Sequence, residues 1–219
     1  MKPEDFNERV QKAISEENSD SLGKLIEMIR EDISESDRKF LRLSSLLGLT
    51  ILVYHLYAFG YLESLSMFGG ELSKKDLFVK CFLVFPSGVY LFLTAVGYTR
   101  IYQKRLFELL IEKQYQGFYQ TDLELLLQKP NFMLSMDYLR REPGFGKLFW
   151  KIIASLPAGV FTLFQVFAPI IYILVAFQVA FNEYGSDDLL LAISALLSGL
   201  FIFCGFMVFR KSTEVLGSL

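Results

Sequence analysis

The sequence predicts an all-α polytopic membrane protein, four transmembrane helices with a small cytosolic helical module. Three observations predict it. Four apolar blocks are each long enough to cross a bilayer as a helix, for which roughly 20 residues suffice. The polar stretches between them repeat their apolar residues at helical rather than strand spacing. Lysine and arginine are unevenly shared among the connections, which gives the chain a defined orientation. Composition agrees: of 219 residues 53% are hydrophobic, 22 are Phe, and the mean hydropathy is +0.37.

Residues 1–42 read as a cytosolic amphipathic arm of two short helices. Phe6, Val10 and Ile14 recur at helical spacing, and Leu22, Leu25, Ile26, Ile29 and Ile33 do so again. Asn18 to Ser21 offers N-cap residues between them. A five-aliphatic stripe is costly to leave in water, so Leu22, Ile26 and Ile29 are candidates for docking a partner, another subunit or the middle segment of the chain. The N-terminus is acidic and polar, without the basic start and apolar core of a cleaved signal peptide. The first apolar block is therefore expected to be retained as a signal anchor.

Residues 43–99 hold transmembrane helices 1 and 2. The first span, 43–62, contains the only histidine, His55, and Tyr54, Tyr57 and Tyr61 crowd its far half as an interfacial aromatic belt would. A short polar connection follows, with a turn signal at Gly69-Gly70. The second span, 81–99, has Pro86 near its start, and Lys80 at its mouth can snorkel to headgroups. Residues 100–115 contain good helix formers and neither Gly nor Pro, so one continuous helix is expected to leave the membrane there. Residues 100–149 form the cytosolic module, too small for a core of its own. Residues 150–209 hold helices 3 and 4, and 210–219 are a cytosolic tail. The third apolar run, 152–181, has no charged residue and would reach about 45 Å, so it must tilt or bend, with Pro169 the natural place. An acidic loop, 182–188, leads to the fourth span.

The arm, the 100–151 segment and the tail carry 8, 9 and 2 Lys/Arg, the 63–80 connection three and the 182–188 loop none. The positive-inside rule then places both termini in the cytoplasm and the chain in the cell (inner) membrane as a multi-pass protein.

Few residues invite chemistry. His55 is an ionisable group inside a span, which reads either as a pore, proton-relay or gating group or as a neutral imidazole bonded to a neighbouring helix. In the third span Ala158, Thr162, Gln165, Pro169, Tyr172 and Ala176 lie on one stripe, suited to tight packing or to a water-lined surface. Thr162, Gln165 and Tyr172 join His55 as pore or gating candidates. Ser194, Ser198 and Gly205 on one face of the fourth span, with Gly159 in the third, are helix-packing candidates through which subunits could associate. Cys81 and Cys204 read as small buried hydrophobes. No catalytic, nucleotide-binding or metal motif occurs, so no enzyme activity, cofactor or metal is expected. A net charge of -2 carries no nucleic-acid signature.

In this layout of four spans and cytosolic helices the chain resembles the small four-span membrane subunits of bacterial anti-phage (antiviral defence) systems. The resemblance covers general architecture. It implies a membrane effector or sensor that depolarises the membrane or tethers a partner protein. The leading expectation is a homo-oligomer that forms or gates a pore or ion channel under control of its cytosolic helices. The alternatives are a non-conducting anchor that recruits a soluble cytosolic partner or binds a small ligand, and a small lipid-active protein.

Overall fold

A computed structural model describes residues 12, 19–59, 61, 66–67, 70–71, 75–115 and 147–217, with backbone alone at 19–20, 66–67, 70–71, 75, 147–165 and 212–217. In chain order these residues form α1 (Ser19–Ala58), β1 (Ser66–Met67), β2 (Gly70–Glu71), α2 (Lys75–Cys81), α3 (Val84–Gln114), α4 (Lys147–Tyr184) and α5 (Leu189–Gly217). The fold is all-α: β1 and β2 are a two-residue antiparallel pair, Ser66 opposite Glu71 and Met67 opposite Gly70. Among the described residues four helices are long and apolar enough to cross a membrane, so the chain is a membrane-spanning protein.

Two expected boundaries are corrected. The second helix of the arm and the first span are one helix, α1, of 40 residues. Residues 24–47 contain no Gly or Pro, so nothing in them interrupts the backbone ladder. At about 60 Å, α1 is twice the thickness of a hydrocarbon core, so part of it lies outside the bilayer. The second correction is at residues 82–83, where a turn separates α2 from α3. Pro86 has no N–H for the carbonyl of Phe82, and its ring crowds that carbonyl. Phe82 O is served instead by Phe85 N–H at 3.0 Å. From Val84 the helix runs unbroken to Gln114, through the end of the second span. α4 likewise runs through Pro169 without a gap. The short helices expected at 6–14 and 121–141 lie outside the described residues.

The chain divides into two compact units. The first comprises 1–38, 98–164 and 211–219, and the second 39–97 and 165–210. In the first unit Leu22, Ile26 and Ile29 of α1 pack on Phe107, Leu109, Leu110 and Ile111 of α3. Around this seam, Ser36 Oγ donates to Gln103 Oε1 at 2.8 Å, and Arg100 pairs with Asp37.

The second unit has two cores. In one, Leu47 of α1 meets Val89, Tyr90 and Leu93 of α3, with Phe40, Leu43 and Ile202 against them. In the other, Tyr54 and Tyr57 of α1, Phe78 and Val79 of α2, Leu83, Ile173, Phe177 and Ala180 of α4, and Leu191 of α5 come together. Lipid tails are as apolar as leucine, so these helices are held by close packing rather than by expulsion from water. Gly205 shows the need: a Cβ there would lie 2.8 Å from Tyr90 Cε1 and 3.1 Å from Thr94 Oγ1. Thr50 and Thr94 satisfy their hydroxyls on carbonyls of their own helices, and Ser87 on the carbonyl of Leu83 in the turn before α3.

Candidate functional site

The site lies where the C-terminal ends of α1 and α4 meet α2 and the start of α5, within the second unit. α1 places His55 in its last turn, and α4 places Tyr172 on its inward stripe with Ile173 and Ala176. His55 Nδ1 and the Tyr172 hydroxyl are 3.2 Å apart. In the tautomer protonated at Nε2 the hydroxyl donates to Nδ1; in the other tautomer Nδ1–H donates to the hydroxyl oxygen. The imidazole lies 4.6 Å from the Phe59 ring and 6.3 Å from that of Tyr61, centroid to centroid. A polar pair joining two spans in this way can hold or pass a proton.

Tyr54 lies beside the pair, edge-on to Tyr172 at 6.4 Å and stacked with Phe78 and Phe82. This corrects the aromatic belt. Tyr54 and Tyr57 are 2% and 3% exposed, and only Tyr61, at 72%, faces outward. Their ring surface is taken up by Phe78 of the short helix α2 and, for Tyr54, by Phe82 of the turn after it, which the sequence reads as connection and span entry.

A charged cap closes this end of the unit. Lys80 Nζ is 2.5 Å from Asp188 Oδ2 and 4.5 Å from the centre of the Tyr184 ring. Tyr184 O–H donates to Asp76 Oδ1 at 3.2 Å. Asp188 also caps α5: its Oδ1 accepts from Leu191 N–H at 3.0 Å and its carbonyl from Ala192 N–H at 3.0 Å. Gly185, at φ 89°, supplies the left-handed residue that ends α4. The Lys80 hydrogen bond first, and the Leu191 amide after it, hold the Asp188 carboxyl below the usual carboxylate range. Lys80 therefore pairs within the chain instead of snorkelling to headgroups. The signal for it was opposite charge at the mouths of two spans, with no sequence proximity to reveal the pairing.

The other candidates are distributed as follows. Thr162 and Gln165 lie on α4, and their side chains are outside the described residues, as are the surroundings of Gly159. Ser194, Ser198 and Gly205 are buried within the second unit, so this stripe packs inside one chain and is not open to a neighbour. Leu22, Ile26 and Ile29 are covered by α3, which removes them as an open docking surface for a separate partner. Among the described residues no group of His, Cys, Asp and Glu could hold a metal ion, and Cys81 and Cys204 are free thiols.

No family model, curated protein or solved structure matches the chain.

Proposed function

We propose that the protein is a homo-oligomeric membrane protein that forms or gates a pore, with its non-membrane helices as the control element. The observation that carries this reading is the His55–Tyr172 hydrogen bond. It is a polar, protonatable pair between two spans, in surroundings where burying such groups is expensive and is usually tied to function. Self-association follows from how the second unit is filled. Tyr54, Leu83, Ile173 and Leu191 close its interior, so a conducting path would run between copies and not through one. Control follows from helix continuity, since α1 and α3 each supply residues to both units. A ligand acting on the first unit can shift the spans only by binding one arrangement more tightly than another.

The basic bias supports a reading in which the chain lies in the cell membrane with both termini and the 100–151 segment on the cytoplasmic side. The four-span layout fits a membrane-depolarising effector of a defence system. The deciding experiment is ion flux from liposomes holding the purified full chain. Flux that tracks protein density supports the pore. Tight liposomes at every density, with the protein inserted and folded, leave the non-conducting anchor.

A further inference from the structure

Four stretches of helix carry no Asp, Glu, Lys or Arg: 43–58 of α1, 84–99 of α3, 152–182 of α4 and 189–209 of α5. Their chemistry restricts what could be moved along them. A metal cation sheds its water only for several oxygen ligands, from carboxylates or from free backbone carbonyls. These stretches have no carboxylate, and their carbonyls lie within continuous helices. An anion finds no Lys or Arg. A fully hydrated ion needs a polar lining, because an apolar constriction dewets. Outward side chains such as Leu49, Leu52, Phe92, Ile171, Leu174 and Leu196 are more than half exposed and offer none.

What the stretches do hold is one imidazole bonded to a phenol. His55 is the only histidine of the chain, and its Nδ1 is 3.2 Å from the Tyr172 hydroxyl. Both side chains are partly exposed, and Phe59 and Tyr61 beside the imidazole are exposed at 54% and 72%. Tyr54, next to Tyr172, is 2% exposed. The pair is therefore reached from outside the chain, where a path between copies would run, and is shut off from the core. Imidazole takes up and releases protons near neutral pH, and a proton moves along hydrogen bonds without a ligand shell or a wide lumen.

We infer that the ion moved is the proton, relayed at Nε2 of His55 while Tyr172 holds Nδ1. In the tautomer protonated at Nδ1, that N–H donates to the Tyr172 oxygen and Nε2 carries the free lone pair. A water on one side gives a proton to Nε2, which makes the imidazolium. The same Nε2–H bond then breaks to a water on the other side. One N–H bond forms and breaks, and His55 ends as it began. Tyr172 is a positioning residue: its oxygen fixes which nitrogen relays and stabilises the cation. The inference rests on the pore proposed above and names its cargo.

The test uses the full chain in lipid vesicles with a trapped pH dye. A potassium diffusion potential set by valinomycin, inside negative, is expected to draw protons in at least tenfold faster than in empty vesicles. Sodium and chloride leak, and potassium leak without ionophore, are expected to match empty vesicles. His55→Gln keeps a group that bonds to Tyr172 but cannot take up a proton near neutral pH. It is expected to melt as the wild type does and to lose proton flux tenfold or more, an effect that a structural hydrogen bond alone would not produce. Tyr172→Phe keeps the ring and is expected to slow the flux as well. Sodium, potassium or chloride moving as fast as protons overturns the inference and keeps the pore. Proton flux unchanged in His55→Gln overturns it too. No flux of any ion through inserted, folded protein removes the pore and the inference together.

Discussion

His55 is the residue on which the functional reading turns, and its hydroxyl partner allows a clean test. Tyr172→Phe deletes one interhelical hydrogen bond and little volume, so about 0.6 kcal/mol of stability is expected to go. Flux is expected to change tenfold or more in Tyr172→Phe and in His55→Ala alike. Unchanged flux in His55→Ala would take the histidine out of the account. Asp188 makes a second prediction at this scale. Its carboxyl is held below the usual range, so its contribution is present above the unfolded value of about 3.9 and disappears as pH falls through the lower folded value. Asp188→Asn keeps an N-cap but loses the ion pair with Lys80. Its melting temperature in detergent is expected below that of the wild type at pH 7, with the gap closing under about pH 4. A gap that stays constant down to pH 3 would dismiss the pairing as a source of stability.

Among the elements, α5 presents two glycines with opposite duties. Gly205→Ala drives a Cβ to 2.8 Å from a fully buried tyrosine ring, and a loss of about 1–3 kcal/mol is expected. Gly199→Ala meets open space and, measured on monomer in detergent, is expected to leave the melt unchanged or raise it through helix propensity. Equal losses in both would mean that α3 and α5 are not packed as described. α3 makes the coupling prediction. As a single helix from Val84 to Gln114 it transmits tilt and rotation along its axis better than a loop could. A Gly-Gly insertion after Arg100 is expected to keep folding and oligomerisation while flux becomes constitutive or is lost. The same gated flux with and without the insertion excludes control through this helix.

At the scale of the whole molecule, the prediction is orientation. With both termini in the cytoplasm, the α4–α5 turn at 185–188 faces outward. In the Cys81→Ala, Cys204→Ala background, Ser186→Cys is expected to react with an impermeant thiol reagent on intact cells. Labelling only after permeabilisation would reverse the topology and put the Lys80–Asp188 cap on the inside.

Four spans were legible because the bilayer imposes a length and a polarity on any helix that crosses it, and both are written locally in the chain. The continuation of α3 past Arg100 was legible for the same local reason, an unbroken run of helix formers. The stripe of Leu22, Ile26 and Ile29 declared that something covers it, but only the tertiary structure decided that α3 does. The functional pair was half legible: His55 stood out as an ionisable group in a span, while Tyr172 lay among several polar residues of one stripe, 117 positions away. The charged cap was hidden further. Asp76, Lys80, Tyr184 and Asp188 are ordinary residues in two distant connections, and their pairing exists only once α2 is folded against the α4–α5 turn. Face assignment was the hardest. In lipid both the packed and the exposed sides of a helix are apolar, so periodicity alone does not tell them apart. The small residues Ser194, Ser198 and Gly205 therefore read as a surface for a neighbour, and packing against the other helices of the same unit turned them inward.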